Sequence, residues 1–226
     1  MYNGMLVSFT ETKKENEDEL KSWFVNEHID ERAINTDGFF RSRFYECLGS
    51  GPKFFATYET NSFEVLKSEN YMNKVSNQTE WSKEIIPKLT ILDRLTGKIT
   101  INNMRGFGGY ILVYRFLPIE NDEERNNLRE IFKNELNEII KLDLINGICL
   151  VENDSKISTL TGKKAENIGG SPNLTIRDEW LIIIEGQDEE KLKDSFEIAF
   201  NKKIIDVHIE KKISTNLYRL VYGNSR

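Results

Sequence analysis

One of the two histidines in this chain lies in WFVNEHIDER, Trp23 to Arg32, a run dense in Glu, Asp and Arg. An imidazole with an ordinary pKa of about 6.5 exchanges protons near neutrality better than any other side chain, so His28 is the first candidate for a general acid or base. Glu27 and Glu31 stand close enough in sequence to orient their neighbours. Arg32, one turn further on, can hold an anionic ligand. The plainer reading is a partly buried histidine bonded to a carbonyl, with Arg32 solvated. A second constellation is Arg41, Arg43 and Tyr45, whose alternate spacing projects them from one face of a strand. Two guanidiniums and a phenol inside a core are costly unless carboxylates or a ligand meet them. Such a row would bind carboxylate, enolate or phenolate oxygens, with Tyr45 as an acid; otherwise it is a solvent-facing stripe, or an ion-pair network made through Glu27 or Glu31. A third is NQTEW, where Asn77, Gln78 and Thr79 are adaptable donors and Trp81 is an apolar wall. Helix capping accounts for Thr79 and Glu80 equally well.

Other chemistries find no footing in the sequence. The histidines are far apart with no HExxH, and Cys47 and Cys149 have no CxxC spacing, so no protein-built metal site is expected and both cysteines read as small buried apolar residues. His208, within VHIEKK, has no companion at ligand spacing and reads as structural. Neither GxSxG nor GxGxxG occurs, and no Lys-Ser/Thr follows the glycines of Asn167 to Pro172, which excludes a phosphate loop. No cofactor is expected. Haem stays open only because it needs a single protein ligand, which His28 could supply. A formal net charge of -6 argues against nucleic-acid or anionic-membrane partners, both of which select a basic face. No apolar run approaches the roughly 18 residues of a membrane span, and the first residues do not pattern as a signal peptide, so a cytoplasmic protein is expected.

These residues must be positioned by elements, and the elements come in a repeated order. MLVSF reads as a strand; Leu20, Phe24 and His28 share one face of a following helix; FFRSRFYECL and KFFATYE form a hairpin about Gly49–Pro52. SFEVLKSENYMNKV, capped by Ser62, and EWSKEIIPKL are helical, and LTILDRLTGKITI is a long strand. After the glycine-rich MRGFGG the sequence offers GYILVYRFL, the amphipathic helix of NDEERNNLREIFKNELNEIIKL, LINGICLVEN, DEWLIIIEG, the helix DEEKLKDSFEIAF and a final long strand. Both stretches run βαββαβ, the ferredoxin-like order. The expected organisation is therefore α+β, with a half over 1–103 carrying the pocket and a second half over 104–226. A shift of 126 places lays Glu59, Glu64, Leu66 and Lys67 on Glu185, Glu190, Leu192 and Lys193. The polar connection Asn153–Thr175 is long enough to be a lid or a mobile loop.

A four-stranded sheet with helices on one face must bury the other, and a second such sheet in the same chain is the nearest partner. In WFVNEHIDER, GFFRSRFYE, PKFFATYE and TEWSKEI the first half resembles the dimeric α/β barrel superfamily, EthD-like members among them; the second half resembles it in element order alone. The resemblance implies an intramolecular barrel and a small-molecule ligand between the sheet and its covering helices. It also implies a monomer or homodimer. The superfamily includes monooxygenases, cyclases, isomerases, haem enzymes and stress proteins. The site expected on this basis has His28, Arg43 and Tyr45 as catalytic groups and Phe24, Arg32, Arg41, Asn77 and Trp81 around the ligand. Its chemistry would be cofactor-independent acid/base catalysis on a carbonyl or phenolic compound; the rivals are a non-catalytic ligand-binding or stress-type barrel and a haem-binding one.

Overall fold

Alternating apolar residues build eight strands: β1 (Gly4–Thr12), β2 (Phe39–Cys47), β3 (Phe54–Thr60), β4 (Leu89–Asn102), β5 (Tyr110–Pro118), β6 (Ile145–Asn153), β7 (Trp180–Gly186) and β8 (Ile209–Ser225). The computed structural model describes residues 2–166, 177–200 and 208–226. The strands close into one barrel in the order β1-β3-β2-β8-β5-β7-β6-β4. Every neighbouring pair is antiparallel. Read from β4, the first four strands run β4-β1-β3-β2, and the second four repeat this as β8-β5-β7-β6, so the ferredoxin-like order occurs twice. The seams are β2 against β8 and β4 against β6. Strands β3 and β7 are buried along their whole length, as a sheet covered on both faces requires.

Three apolar layers result. The barrel interior holds Met5, Val7, Phe9, Tyr45, Phe55, Leu95, Val113, Cys149, Leu181, Ile183 and Tyr218. Cys47 and Cys149 are both free and buried. Outside the first half lie the helices α1 (Glu17–Trp23), α2 (Ile29–Ala33), α3 (Glu69–Ser76) and α4 (Glu80–Ile85); outside the second lie α5 (Asp122–Ile139) and α7 (Glu189–Phe200), while α6 (Ser155–Glu166) packs at the seam against α3 and β4. Leu128, Phe132, Leu136 and Ile139, at helical spacing on α5, supply the buried stripe over the second half.

The structure corrects two local expectations. Ser62 makes no capping bond: a 3₁₀ turn over Phe63–Lys67 intervenes, and it is Ser68 whose Oγ accepts from the Tyr71 N–H at 3.2 Å to start α3. The connection after β6 is not an open loop, since α6 occupies 155–166; Asn167–Pro172 lies outside the described residues. Met104–Gly109 does link β4 to β5, and Gly106 uses the left-handed φ of +58° that glycine tolerates.

Candidate functional site

The helix bearing His28 is not uniform. Between α1 and α2 the backbone makes a π-helical turn over Phe24–His28, the kind of local widening that re-aims side chains and is frequent at functional sites. It points Trp23, Phe24, His28 and Arg32 together toward the sheet. His28 stacks on Trp23 with ring centroids 4.1 Å apart and meets the Phe24 and Tyr58 rings edge-on at 5.5 and 5.8 Å. Glu27 holds this segment to the loop before α4, accepting from Thr79 Oγ1 at 2.6 Å and from Trp23 Nε1 at 3.2 Å. Thr79 also caps α4 by accepting from the Ser82 N–H.

Beneath the helix is a cavity of about 50 Å³, walled by Leu6, Ser8 and Thr10 of β1, Tyr58 of β3, Leu92 and Arg94 of β4, the four helix residues, and Gln78, Ile86 and Leu89. Its walls are mainly apolar, yet His28 Nδ1, Arg32 Nη1, Gln78 Oε1 and Thr10 Oγ1 are buried on it without a hydrogen-bond partner. Buried polar atoms are ordinarily paired, so four orphans on one small cavity are informative. Glu31 Oε2 lies 3.7 Å from His28 Nδ1, in ion-pair range but too far for a hydrogen bond. Burial lowers the His28 pKa to about 4; Glu31 opposes this and Arg32 assists it, so the imidazole is neutral at physiological pH. Burial acts to raise Glu31, but His28 and Arg32 outweigh it and hold the carboxyl down at about 2. Burial pushes the Tyr58 phenol well above its ordinary value, so it stays a neutral donor.

Arg41, Arg43 and Tyr45 do share one face of β2, but that face lines the barrel interior, while Phe44 of the same strand stacks on Phe24 outside. The sheet therefore separates them from His28, and no joint site forms. The separation follows from the period-2 alternation of a strand buried on both sides. Arg43 is fully buried, with Nη2 donating to Glu59 Oε1 and Nη1 to Glu185 Oε2, each at 2.6 Å. Arg41 makes a two-bond fork to Glu59 and donates to the Gly106 carbonyl. Gly108 N–H donates to Glu185 at 2.6 Å. This is an ion-pair network between the halves, made through Glu59 and Glu185 rather than Glu27 or Glu31. Tyr45 has its phenol pushed strongly up by burial, and it faces the barrel interior rather than the cavity of His28.

Of the other expected residues, Phe24 and Arg32 line the cavity with His28. Asn77 is exposed, with its amide bonded to the Asn73 carbonyl, and Trp81 packs against the outer core away from the cavity. The residue of that loop that turns inward is Gln78. Ser8, Thr10, Tyr58 and Arg94 are cavity residues that sequence reading missed, for they are gathered only by strand register: Ser8 sits opposite Arg94, and Leu6 opposite Tyr58. His208 bonds Glu124 at 2.8 Å.

The architecture has clear parallels among solved structures. An anthrone oxidase-like protein superposes with a TM-score of 0.68 at 9% identity, covering 99% of this chain and 93% of its own. A proposed monooxygenase from Fusobacterium nucleatum gives 0.67 at 14%, covering 100% and 95%. The chain has the dimeric α/β barrel fold. A variant chlorite dismutase from Candidatus Nitrospira defluvii matches this barrel with a TM-score of 0.60 at 12% identity, over 97% of this chain and 92% of the other. No protein-family model matches the sequence. No curated protein matches it either. Among the described residues no helix is long and apolar enough to cross a membrane, and no group of His, Cys, Asp and Glu converges as a metal site would. A haem does not fit the barrel's outer cavity as it stands: the volume is far below that of a macrocycle, and the His28 ring is stacked flat on Trp23.

Proposed function

We propose that the cavity under α1 and α2 is the site of an enzyme acting on a small phenolic or carbonyl compound, with neutral His28 as general base. The observation that carries this reading is the set of partnerless polar atoms facing one apolar-walled cavity. In the proposed step His28 takes a proton from a phenol or from the carbon beside a carbonyl, leaving a phenolate or enolate. Glu31 then stabilises the imidazolium, while neutral donors of the cavity wall meet the oxygen that gains charge. Tyr58, kept neutral, donates a hydrogen bond. Reprotonation at another position completes an isomerisation; reaction of the carbanion with dioxygen would give the oxidase and monooxygenase chemistry in the names of the fold neighbours.

The test is deuterium exchange at the α-carbon of a panel of one-ring ketones in D₂O, followed by NMR. The chain should accelerate exchange over buffer, and His28→Gln should reduce that by roughly 10²–10⁴-fold with the fold intact by circular dichroism. Equal rates for both proteins would remove His28 as the base and favour a ligand-holding barrel. Haem added to the purified protein is expected to give no Soret band that depends on His28.

A further inference from the structure

Guanidiniums that are taken out of water in this molecule are, with three exceptions among the described residues, met by carboxylates. Arg41 pairs with Glu59, Arg43 with Glu59 and Glu185, Arg115 with Asp93 and Glu179, and Arg129 with Glu152. Arg32, Arg94 and Arg125 are the exceptions: none of the three forms an ion pair among the described residues, and Arg125, in the first turn of α5, stands outside the cavity that the other two share. Arg32 is 4% exposed, its Nη1 has no partner, and its nearest aromatic neighbour is the Tyr71 ring at 6.0 Å. Arg94 donates to the Tyr71 hydroxyl, at 3.0 Å. Both line the same cavity, one from the helix wall and one from the sheet wall. An unpaired charge withdrawn from water is unfavourable, and two of them converging on one cavity, in a chain that matches most of its other buried arginines, point to a partner that the chain does not itself supply.

From this geometry we infer that the cavity takes a small organic monocarboxylate, its carboxylate set between Arg32 and Arg94 and its hydrocarbon body against Leu6, Trp23, Phe24 and Leu92. A planar carboxylate matches guanidinium donors bond for bond. About 50 Å³ takes the carboxylate and a few carbons, so the rest of a one-ring acid would extend through the open side of the cavity. The inference rests on the site proposed above and names its substrate class, but it does not depend on His28 acting as a base.

Isothermal titration of the full chain with benzoate, and with benzamide as its uncharged isostere at equal ionic strength, tests it. Benzoate should bind at least tenfold more tightly than benzamide. Arg32→Gln and Arg94→Gln should each weaken benzoate tenfold or more while changing benzamide by less than threefold, and His28→Gln should keep the preference for benzoate. If Arg32→Gln does not fold, the half-buried Arg94→Gln carries the test. Benzoate binding no tighter than benzamide, binding of neither, or full benzoate affinity in the folded arginine variants overturns the inference. A retained benzoate preference together with failed deuterium exchange overturns only the base, so the two readings fail separately.

Discussion

The layer between helices and sheet is built twice in this molecule, and the two versions differ. In the second half it is solid: Leu112, Tyr114 and Phe116 of β5, Ile182 and Ile184 of β7, and Leu128, Phe132 and Leu136 of α5 close it with large apolar side chains. The register places Tyr114, Phe116 and Ile184 where the first half has Ser8, Thr10 and Tyr58, since Leu112 faces Ile184 across strands just as Leu6 faces Tyr58. His28 and Arg32 complete the contrast from the helix side. The fold thus does not require polar residues in this layer. Their presence in one half, with atoms left unpaired, is what supports the function proposed above.

Substitutions can break or sharpen that contrast. The largest effect is expected in the filled half: Phe132→Ala opens a hole in a layer of packed large apolar side chains and should cost about 3–5 kcal/mol in urea denaturation. Next comes acid sensitivity in the open half. An unfolded imidazole protonates near pH 6.5, whereas native His28 stays neutral down to about 4. Between those values the unfolded state binds more protons, so stability falls as pH falls, by about 3 kcal/mol across the window. Denaturation of His28→Gln over the same range should lack that component. The depressed Glu31 extends the loss at lower pH, from its ordinary value toward about 2. Smallest is Thr10→Val, which removes a buried hydroxyl that has no partner and should be neutral or stabilising by up to about 1 kcal/mol. A clear destabilisation would mean that the hydroxyl is satisfied after all.

Much of the fold was legible because periodicity is a local property: the stripe of α5 and the alternation of the strands need only neighbouring residues. The inward face of Leu20, Phe24 and His28 was readable for the same reason. The alternation of Arg41, Arg43 and Tyr45 gave their common face but not which side of the sheet it was, because β2 is buried on both. Arg94, Tyr58 and Ser8 escaped because only long-range register joins them. In the loop before α4, adjacent residues point in different directions, so Gln78 enters the cavity while Asn77 meets water. The shift of 126 places did align Glu59 with Glu185, and these two carboxylates clasp one guanidinium.

That clasp bears on which surfaces can associate. In register with β3, Arg41 and Arg43 occupy the positions that Gly147 and Cys149 hold beside β7. Two copies of the first half would press four guanidiniums against two carboxylates at this end of the barrel, and two copies of the second would leave two carboxylates with no cation. Only the mixed pair is neutral. Each half is therefore the other's proper mate, and a stray encounter between like halves of separate chains, as in domain exchange during folding, meets an electrostatic mismatch where the correct closure meets none.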